Sequence, residues 1–299
     1  MVRIVSQPCR AVAVHLLASL VVAGGAGAQA AASSSPDSAA QHRRKAAAAP
    51  PARPLRDAVP IEADRPDFTE ASTTVGKGRT QLEVGYTRSR DRNGGATDAA
   101  TFPEALLRVG LFADWFEFRL GQTLSSSRTA DAGEAIIVRG AEDLYVGAKF
   151  AVSQQSRLRP EAVVLLQSTL PTGHRDFRAR GALPGVNLLY GWDVVPGALA
   201  VGGSTQVNAS ENVGGSRYAE FAQAVTVGYD FTERLGAYGE VFSIVPTGRN
   251  STGLPATHYA NGGLRFRITP NLQYDVRVGA GLNRAADDFF VGVGLAVRR

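Results

Sequence analysis

Charged side chains recur at alternate positions along much of this chain, and that spacing is where chemistry is to be sought. Glu83, Glu104, Glu117, Asp143, Glu161, Asp193, Glu220, Asp230, Glu240 and Asp275 are the acids so placed; Arg108, Arg119, Lys149, Arg265, Arg267, Arg277 and Arg298 are the bases. Opposed charges on one face suit a narrow water-filled path that orients polar solutes. They equally suit a packed, salt-bridged interior, because a dry interior holds such groups only when they are paired. The residues expected to set selectivity are Glu83, Arg108, Glu117, Arg119, Lys149, Glu220, Glu240, Arg265, Arg267, Asp275 and Arg277.

A second charged stretch lacks the alternation: Ile61-Glu62-Ala63-Asp64-Arg65-Pro66-Asp67-Phe68-Thr69-Glu70. Its place before the first alternating segment puts it at the periplasmic mouth. Asp64, Arg65, Asp67 and Glu70 are the expected plug, folded into the lumen as a constriction. There Asp64, Asp67 and Glu70 would face Arg265, Arg267 and Arg277; the alternative is a solvated lead-in.

Other chemistry is thinner. Ser243 and His258 fall on neighbouring alternating segments in the same outward phase, as a nucleophile and its base require. A lipid hydrolase would need a third member, and Asn261 is in the inward phase. His174 and His258, with scattered acids, make no metal-ligand spacing. No glycine-rich loop follows a strand and opens a helix, so no phosphate cradle is present. The sequence therefore implies no cofactor, no metal and no catalytic residue.

The elements that carry these residues have a period of two. Phe116-Glu117-Phe118-Arg119-Leu120 sets two charges against three large apolar groups, and residues 272–282 repeat the pattern. A helix would mix the two sets, whereas a strand separates them. Twelve such segments are read: 79–89, 103–112, 115–125, 143–153, 157–170, 184–194, 197–208, 217–231, 234–245, 257–268, 271–283 and 288–298. Most exceed the ~5–6 residues of a soluble strand and suit a tilted membrane strand of ~9–11. Short connections (113–114, 154–156, 195–196, 232–233, 269–270) alternate with long ones (90–102, 126–142, 171–183, 209–216, 246–256). Short turns at one rim and long loops at the other are the asymmetry of an outer-membrane barrel.

The expected fold is thus all-β: a transmembrane antiparallel barrel of about twelve strands over residues 79–299, after a lead-in or lumenal segment at 61–78. The large apolar face carries no charge, which contact with lipid demands. Phe116, Trp192, Tyr229, Phe231 and Tyr274 fall at the short-turn rim, and Tyr86, Phe221 and Phe289 at the loop rim, as two headgroup-level girdles. Twelve strands lie between filled eight-stranded barrels and open porins of 16–18, so a narrow or partly plugged lumen is expected. Inward glycines such as Gly85, Gly110, Gly279 and Gly292 leave room on the inner wall or mark bends.

Arg3 and Arg10 precede an apolar run, and small residues follow at Ala26-Gly27-Ala28 and Ala28-Gln29-Ala30; residues 1–30 read as a secretory signal peptide. Residues 31–60 are rich in Ala, Ser, Pro and Arg, too poor in large apolar groups to fold, and read as a disordered tether. The basic groups of these 60 residues account for the whole net charge of +5. The remainder is neutral, which argues against a nucleic-acid partner. The expected partners are outer-membrane lipid, the barrel assembly machinery and small solutes. The chain ends Ala296-Val297-Arg298-Arg299, where such barrels commonly present an aromatic residue to that machinery. Either the signal is read differently, or Phe289 and Phe290 contribute.

Several motifs carry a family likeness: Asp64-Arg65-Pro66-Asp67-Phe68-Thr69-Glu70, Gly140-Ala141-Glu142-Asp143-Leu144, Leu170-Pro171-Thr172-Gly173, Asn187-Leu188-Leu189-Tyr190 and the ending Asp287-Asp288-Phe289-Phe290-Val291-Gly292-Val293-Gly294. Over about residues 62–297 the chain resembles the outer-membrane transporter family of the MetA pathway of phenol degradation. The resemblance implies a barrel in a Gram-negative-type outer membrane, linked by the family's label to uptake of aromatic compounds. It brings no set of functional residues. The function expected is passive or facilitated passage of small solutes; the alternatives are a closed structural or adhesive barrel with ligand-binding loops, and an outer-membrane lipid hydrolase.

Overall fold

The computed structural model describes residues 60–92, 96–131 and 134–299. The signal peptide, and the tether up to residue 59, lie outside the described residues. The alternating segments form β1 (Thr80–Asp91), β2 (Ala96–Gly110), β3 (Phe116–Asp131), β4 (Glu134–Ala141), β5 (Leu144–Ser153), β6 (Glu161–Leu170) and β7 (Leu183–Val195). The ring continues with β8 (Leu199–Glu211), β9 (Arg217–Asp230), β10 (Leu235–Thr247), β11 (Thr257–Thr269), β12 (Leu272–Gly281) and β13 (Phe289–Arg298).

Each strand is antiparallel to its neighbours, and β1 pairs with both β2 and β13, so the sheet closes. β4 and β5 share one position: β3 pairs with β4 through Leu124–Asp131 and with β5 through Phe116–Gly121. The ring is therefore a closed barrel of twelve strand positions. Closure leaves no edge on the ring itself, which a sheet in hydrocarbon requires; only β4, above β5, pairs on one side alone.

Every expected strand is present. Two expected long loops are corrected: 90–102 and 126–142 are tall hairpins, with β1–β2 paired up to Asp91↔Thr97 and β3–β4 up to Asp131↔Glu134. Stretches such as Ser125-Ser126-Ser127-Arg128-Thr129 rise past the lipid and need no apolar face. The period-two signal fades there while the hydrogen-bond ladder continues.

The outward phase is as expected. Leu82, Phe118, Val186, Leu188, Val225, Val227, Val241, Leu264, Phe266, Val278, Val291, Val293 and Leu295 are exposed on the outside. At the short-turn rim Phe112, Phe116 and Phe150 cluster with Trp115, and Tyr229 packs edge-on against Phe231 at 5.2 Å. Closure, the uncharged apolar belt and the aromatic rim make this a membrane-spanning barrel. Among the described residues no helix is long and apolar enough to cross a membrane, so any crossing is by strands.

Candidate functional site: a charged segment docked inside the barrel

Residues 60–78 enter at the short-turn rim, rise into the lumen and return. The Ile61 amide donates to the Pro270 carbonyl in the β11–β12 turn at 2.7 Å, and the Gly78 amide to the Gly110 carbonyl at 2.8 Å. Between these ends the segment has no strand partner. Side chains of the barrel wall hold its backbone instead. Glu83 on β1 accepts from the Asp64 amide at 3.0 Å and the Arg65 amide at 3.1 Å. Glu240 on β10 accepts from the Phe68 and Thr69 amides, one on each oxygen, at 2.7 Å. Glu117 on β3 accepts from the Val75 amide at 2.8 Å. Three wall carboxylates thus supply acceptors for backbone donors that no ladder satisfies.

The segment's own carboxylates return charge to the wall. Asp64 lies 2.7 Å from Arg119, 2.9 Å from Lys149 and 3.2 Å from Arg108. Glu70 binds Arg119 through both oxygens, at 2.5 and 3.0 Å. Lys149 also donates to the Ala71 carbonyl at 2.9 Å, and Arg108 pairs with Glu117 at 2.8 Å. Arg108, Arg119, Lys149, Glu83 and Glu117 have no solvent exposure. Buried charges survive only when each is compensated, and here every one is. Burial alone would raise the Asp64 carboxyl, but Arg108, Lys149 and Arg119 together hold it well below the usual carboxylate range. Asp67 goes the other way: burial, then the nearby Glu240 carboxylate, push it well above that range, and Arg265 offsets only part.

The expected plug is in the lumen, but its expected partners are corrected. The sequence pattern puts it at the mouth, facing Arg265, Arg267 and Arg277. Asp64 and Glu70 instead face β2, β3 and β5, at mid-strand height. Arg265 and Arg267 are turned to Asp230, at 3.8 and 3.1 Å. Arg277 donates to the Pro66 carbonyl at 2.9 Å and to Thr87 at 2.7 Å. Only Asp67 feels an arginine of that wall. Arg65 pairs with Glu104 and lies over Gly85, where a Cβ would meet its guanidinium at 2.1 Å. Asp275 is buried with neither carboxylate oxygen hydrogen-bonded, Arg65 and Arg277 acting on it only from a distance, and Glu220 is buried toward the loop end of β9.

At this height the inward side chains are buried around nearly the whole ring: Glu83, Arg108, Arg119, Lys149, Leu165, Leu189, Ser204, Ala224, Glu240, Asp275 and Ala296. Of the two interiors the sequence allowed, this conformation is the packed, salt-bridged one. Above it an aromatic ladder crosses the wall. Phe68 stacks on Phe242 at 4.3 Å, Phe242 on Tyr259 at 4.9 Å, and Tyr259 meets Phe290 edge-on at 6.1 Å. Sequence reasoning missed this ladder, although its signal was present: Phe242, Tyr259 and Phe290 are large aromatics in the inward phase of segments whose apolar groups otherwise point out.

Ser243 and His258 are register partners, with Oγ 3.2 Å from Nδ1. Asn261 lies on the inner wall and donates to Glu240 at 2.7 Å, so it cannot complete a triad. Among the described residues no group of three or more His, Cys, Asp or Glu could hold a metal.

A family model described as "Putative MetA-pathway of phenol degradation" matches residues 63–298. This chain belongs to that family. The match begins inside the docked segment and ends with β13, so it spans that segment as well as the barrel. Among solved structures, the COG4313 outer membrane channel from Pseudomonas putida F1 is similar, at 12% identity and a TM-score of 0.62, covering 79% of this chain and 99% of that one. The translocator domain of the autotransporter NalP from Neisseria meningitidis is also similar, at 11% identity and a TM-score of 0.50, covering 77% and 90%. At these identities the likeness shows the shared barrel fold. Comparison with curated protein sequences gives no match.

Proposed function

We propose that this member of the MetA-pathway family is an outer-membrane channel for small solutes, closed at mid-height by its own residues 60–78. One observation carries the reading: the wall does not fill its own lumen. A purely structural barrel closes with side chains from its strands. Here the wall turns charged side chains inward, Glu83, Glu104, Arg108, Glu117, Arg119, Lys149, Glu240 and Arg277 among them, around a segment that is not part of the sheet. Between its two backbone-anchored ends that segment is held by side-chain contacts that can be exchanged for water without breaking a single ladder bond. A plug that docks by ion pairs is a plug that can leave. The family's label and the aromatic ladder above the plug favour aromatic solutes. The Ser243–His258 pair lacks a third member, so we read the protein as a conduit and not an enzyme. The MetA-pathway match and the fold of the P. putida channel support this reading.

The deciding measurement is single-channel conductance in a planar bilayer, for the full-length protein and for a variant lacking residues 61–70. Rare or small openings in the first and stable, larger openings in the second are expected. Two equally silent barrels, both folded, would sink the channel and favour a closed structural barrel.

A further inference from the structure

A cavity of about 590 Å³ lies above the plug, lined by plug residues Arg65 and Phe68, wall residues Phe242, Phe290 and Arg277, and Phe177 of the β6–β7 loop. Ligand sites run from ~300 to 1,000 Å³ and combine apolar walls with a few placed polar groups. Here the apolar part is aromatic. The polar part carries both signs, Glu104, Glu142, Asp143, Glu211 and Asp287 against Arg65, Arg178 and Arg277, so the difference lies in which groups already have partners.

The acids that reach the cavity are all engaged. Glu104 is bound by Arg65, and Glu142 accepts from Ser125. Asp143 accepts from the Gly173 and Ala179 amides at 2.9 Å, and Glu211 from the Arg180 amide at 3.0 Å. Asp287 is hydrogen-bonded by Ser89. Arg277 differs. Among the described residues no carboxylate oxygen lies within 4.0 Å of it, although Glu104 and Asp275 act on it from farther away. Its Nε is buried with no hydrogen-bond partner, and its guanidinium sits 5.5 Å from the centre of the Phe290 ring. Two contacts, to Pro66 and Thr87, leave most of its five N–H donors unspent. Gly292 makes this posture possible, since a Cβ there would stand 3.0 Å from Nε.

We infer that this cavity receives aromatic carboxylates, the ring against Phe68, Phe242 and Phe290 and the carboxylate on Arg277. The inference rests on the channel reading and names the solute class that the channel would pass. A planar guanidinium and a carboxylate match as a fork, which a neutral phenol cannot exploit and an ammonium opposes.

The test titrates the full-length protein, refolded in detergent, with benzoate, phenol and benzylamine by calorimetry. Benzoate is expected to bind about tenfold or more tighter than either of the others, the size of one charge-assisted hydrogen bond. Arg277→Gln should abolish that preference, and Arg277→Lys should restore part of it. Phe68→Ala sits in the plug, outside the sheet, and should weaken benzoate and phenol alike. Equal affinity for benzoate and benzylamine, or a folded Arg277→Gln protein that keeps the preference, would overturn the site. The two readings fail separately. A silent barrel that still prefers benzoate overturns the channel alone, and a conducting barrel indifferent to the probes' charge overturns the site alone.

Discussion

Asp64 of the docked segment lies 2.7 Å from Arg119 of β3, and neither has appreciable contact with solvent. One carboxylate stands among three buried cations, so Asp64 is the most heavily paired of the side chains by which the segment holds the barrel. Removing one partner of a buried charge cluster costs ~3–5 kcal/mol, because the remaining charges lose their compensation. Asp64→Ala should therefore undock the plug while leaving the sheet closed. The check is conductance: openings should lengthen to resemble those of the protein lacking 61–70. An unchanged trace in a folded Asp64→Ala barrel would show that the plug is held elsewhere.

The pH dependence of closure has two limbs of opposite sign. Docking raises the Asp67 carboxyl, through burial and Glu240. Its contribution to docking is complete below the free-state value of ~3.9 and is lost as pH rises through the docked value. Docking lowers the Asp64 carboxyl, so its contribution is present above ~3.9 and lost only in strong acid. Open probability should thus climb toward alkaline pH. Asp67→Asn, neutral at every pH beside Glu240 and Arg265, should flatten that climb. Gating recorded across the pH range for both proteins decides it.

At Gly110 the backbone of the segment's exit lies directly against the wall, its Gly78 amide donating to the Gly110 carbonyl at 2.8 Å. A Cβ there would stand 1.8 Å from the Gly76 carbonyl oxygen, a backbone atom that no rotamer change can move. Gly76 and Gly78 turn the chain at this point with positive φ, 82° and 75°. Gly110→Ala should push the plug's exit away from β2 and raise open probability, with little change in the barrel's thermal stability. Stability falling in step with closure would place the strain in the sheet instead.

The apolar belt can be tested without touching the lumen. Val225 is exposed on the lipid face of β9. Arginine there should cost ~2–4 kcal/mol if it meets the bilayer midplane, and ~0–1 near a headgroup rim. Equilibrium unfolding of Val225→Arg in lipid vesicles measures the depth directly.

Ser243→Ala tests the conduit against the hydrolase. The Ser243–His258 contact is one side-chain hydrogen bond, so its loss should cost ~0.5–1.5 kcal/mol. Release of fatty acid from phospholipid vesicles should be absent in both the parent and the variant. Release by the parent that Ser243→Ala abolishes would make the pair catalytic.

The sequence by itself determined the barrel, and the reason is local. A strand puts successive side chains on opposite faces, so one face must satisfy lipid and the other the lumen. Phe116-Glu117-Phe118-Arg119-Leu120 states both environments in five residues. Short and long connections assigned the rims, and the charged inward phase located Arg108, Arg119 and Lys149 on the inner wall. The signal failed above the belt: β4 carries Ile136, Ile137 and Val138 in succession without alternation, and the upper parts of β2 and β3 are small and polar, so the tall hairpins read as loops.

What only the tertiary structure decided is who faces whom across the lumen. That Asp64 meets Arg119 and Lys149, and not Arg265 or Arg277, depends on ring closure and on where residues 60 and 78 are anchored. No spacing along the chain encodes either. The aromatic ladder has the same origin, since Phe68 and Phe242 stack at 4.3 Å only because the plug carries one into the reach of the other. Local pattern fixes a side chain's face; the closed ring fixes its partner.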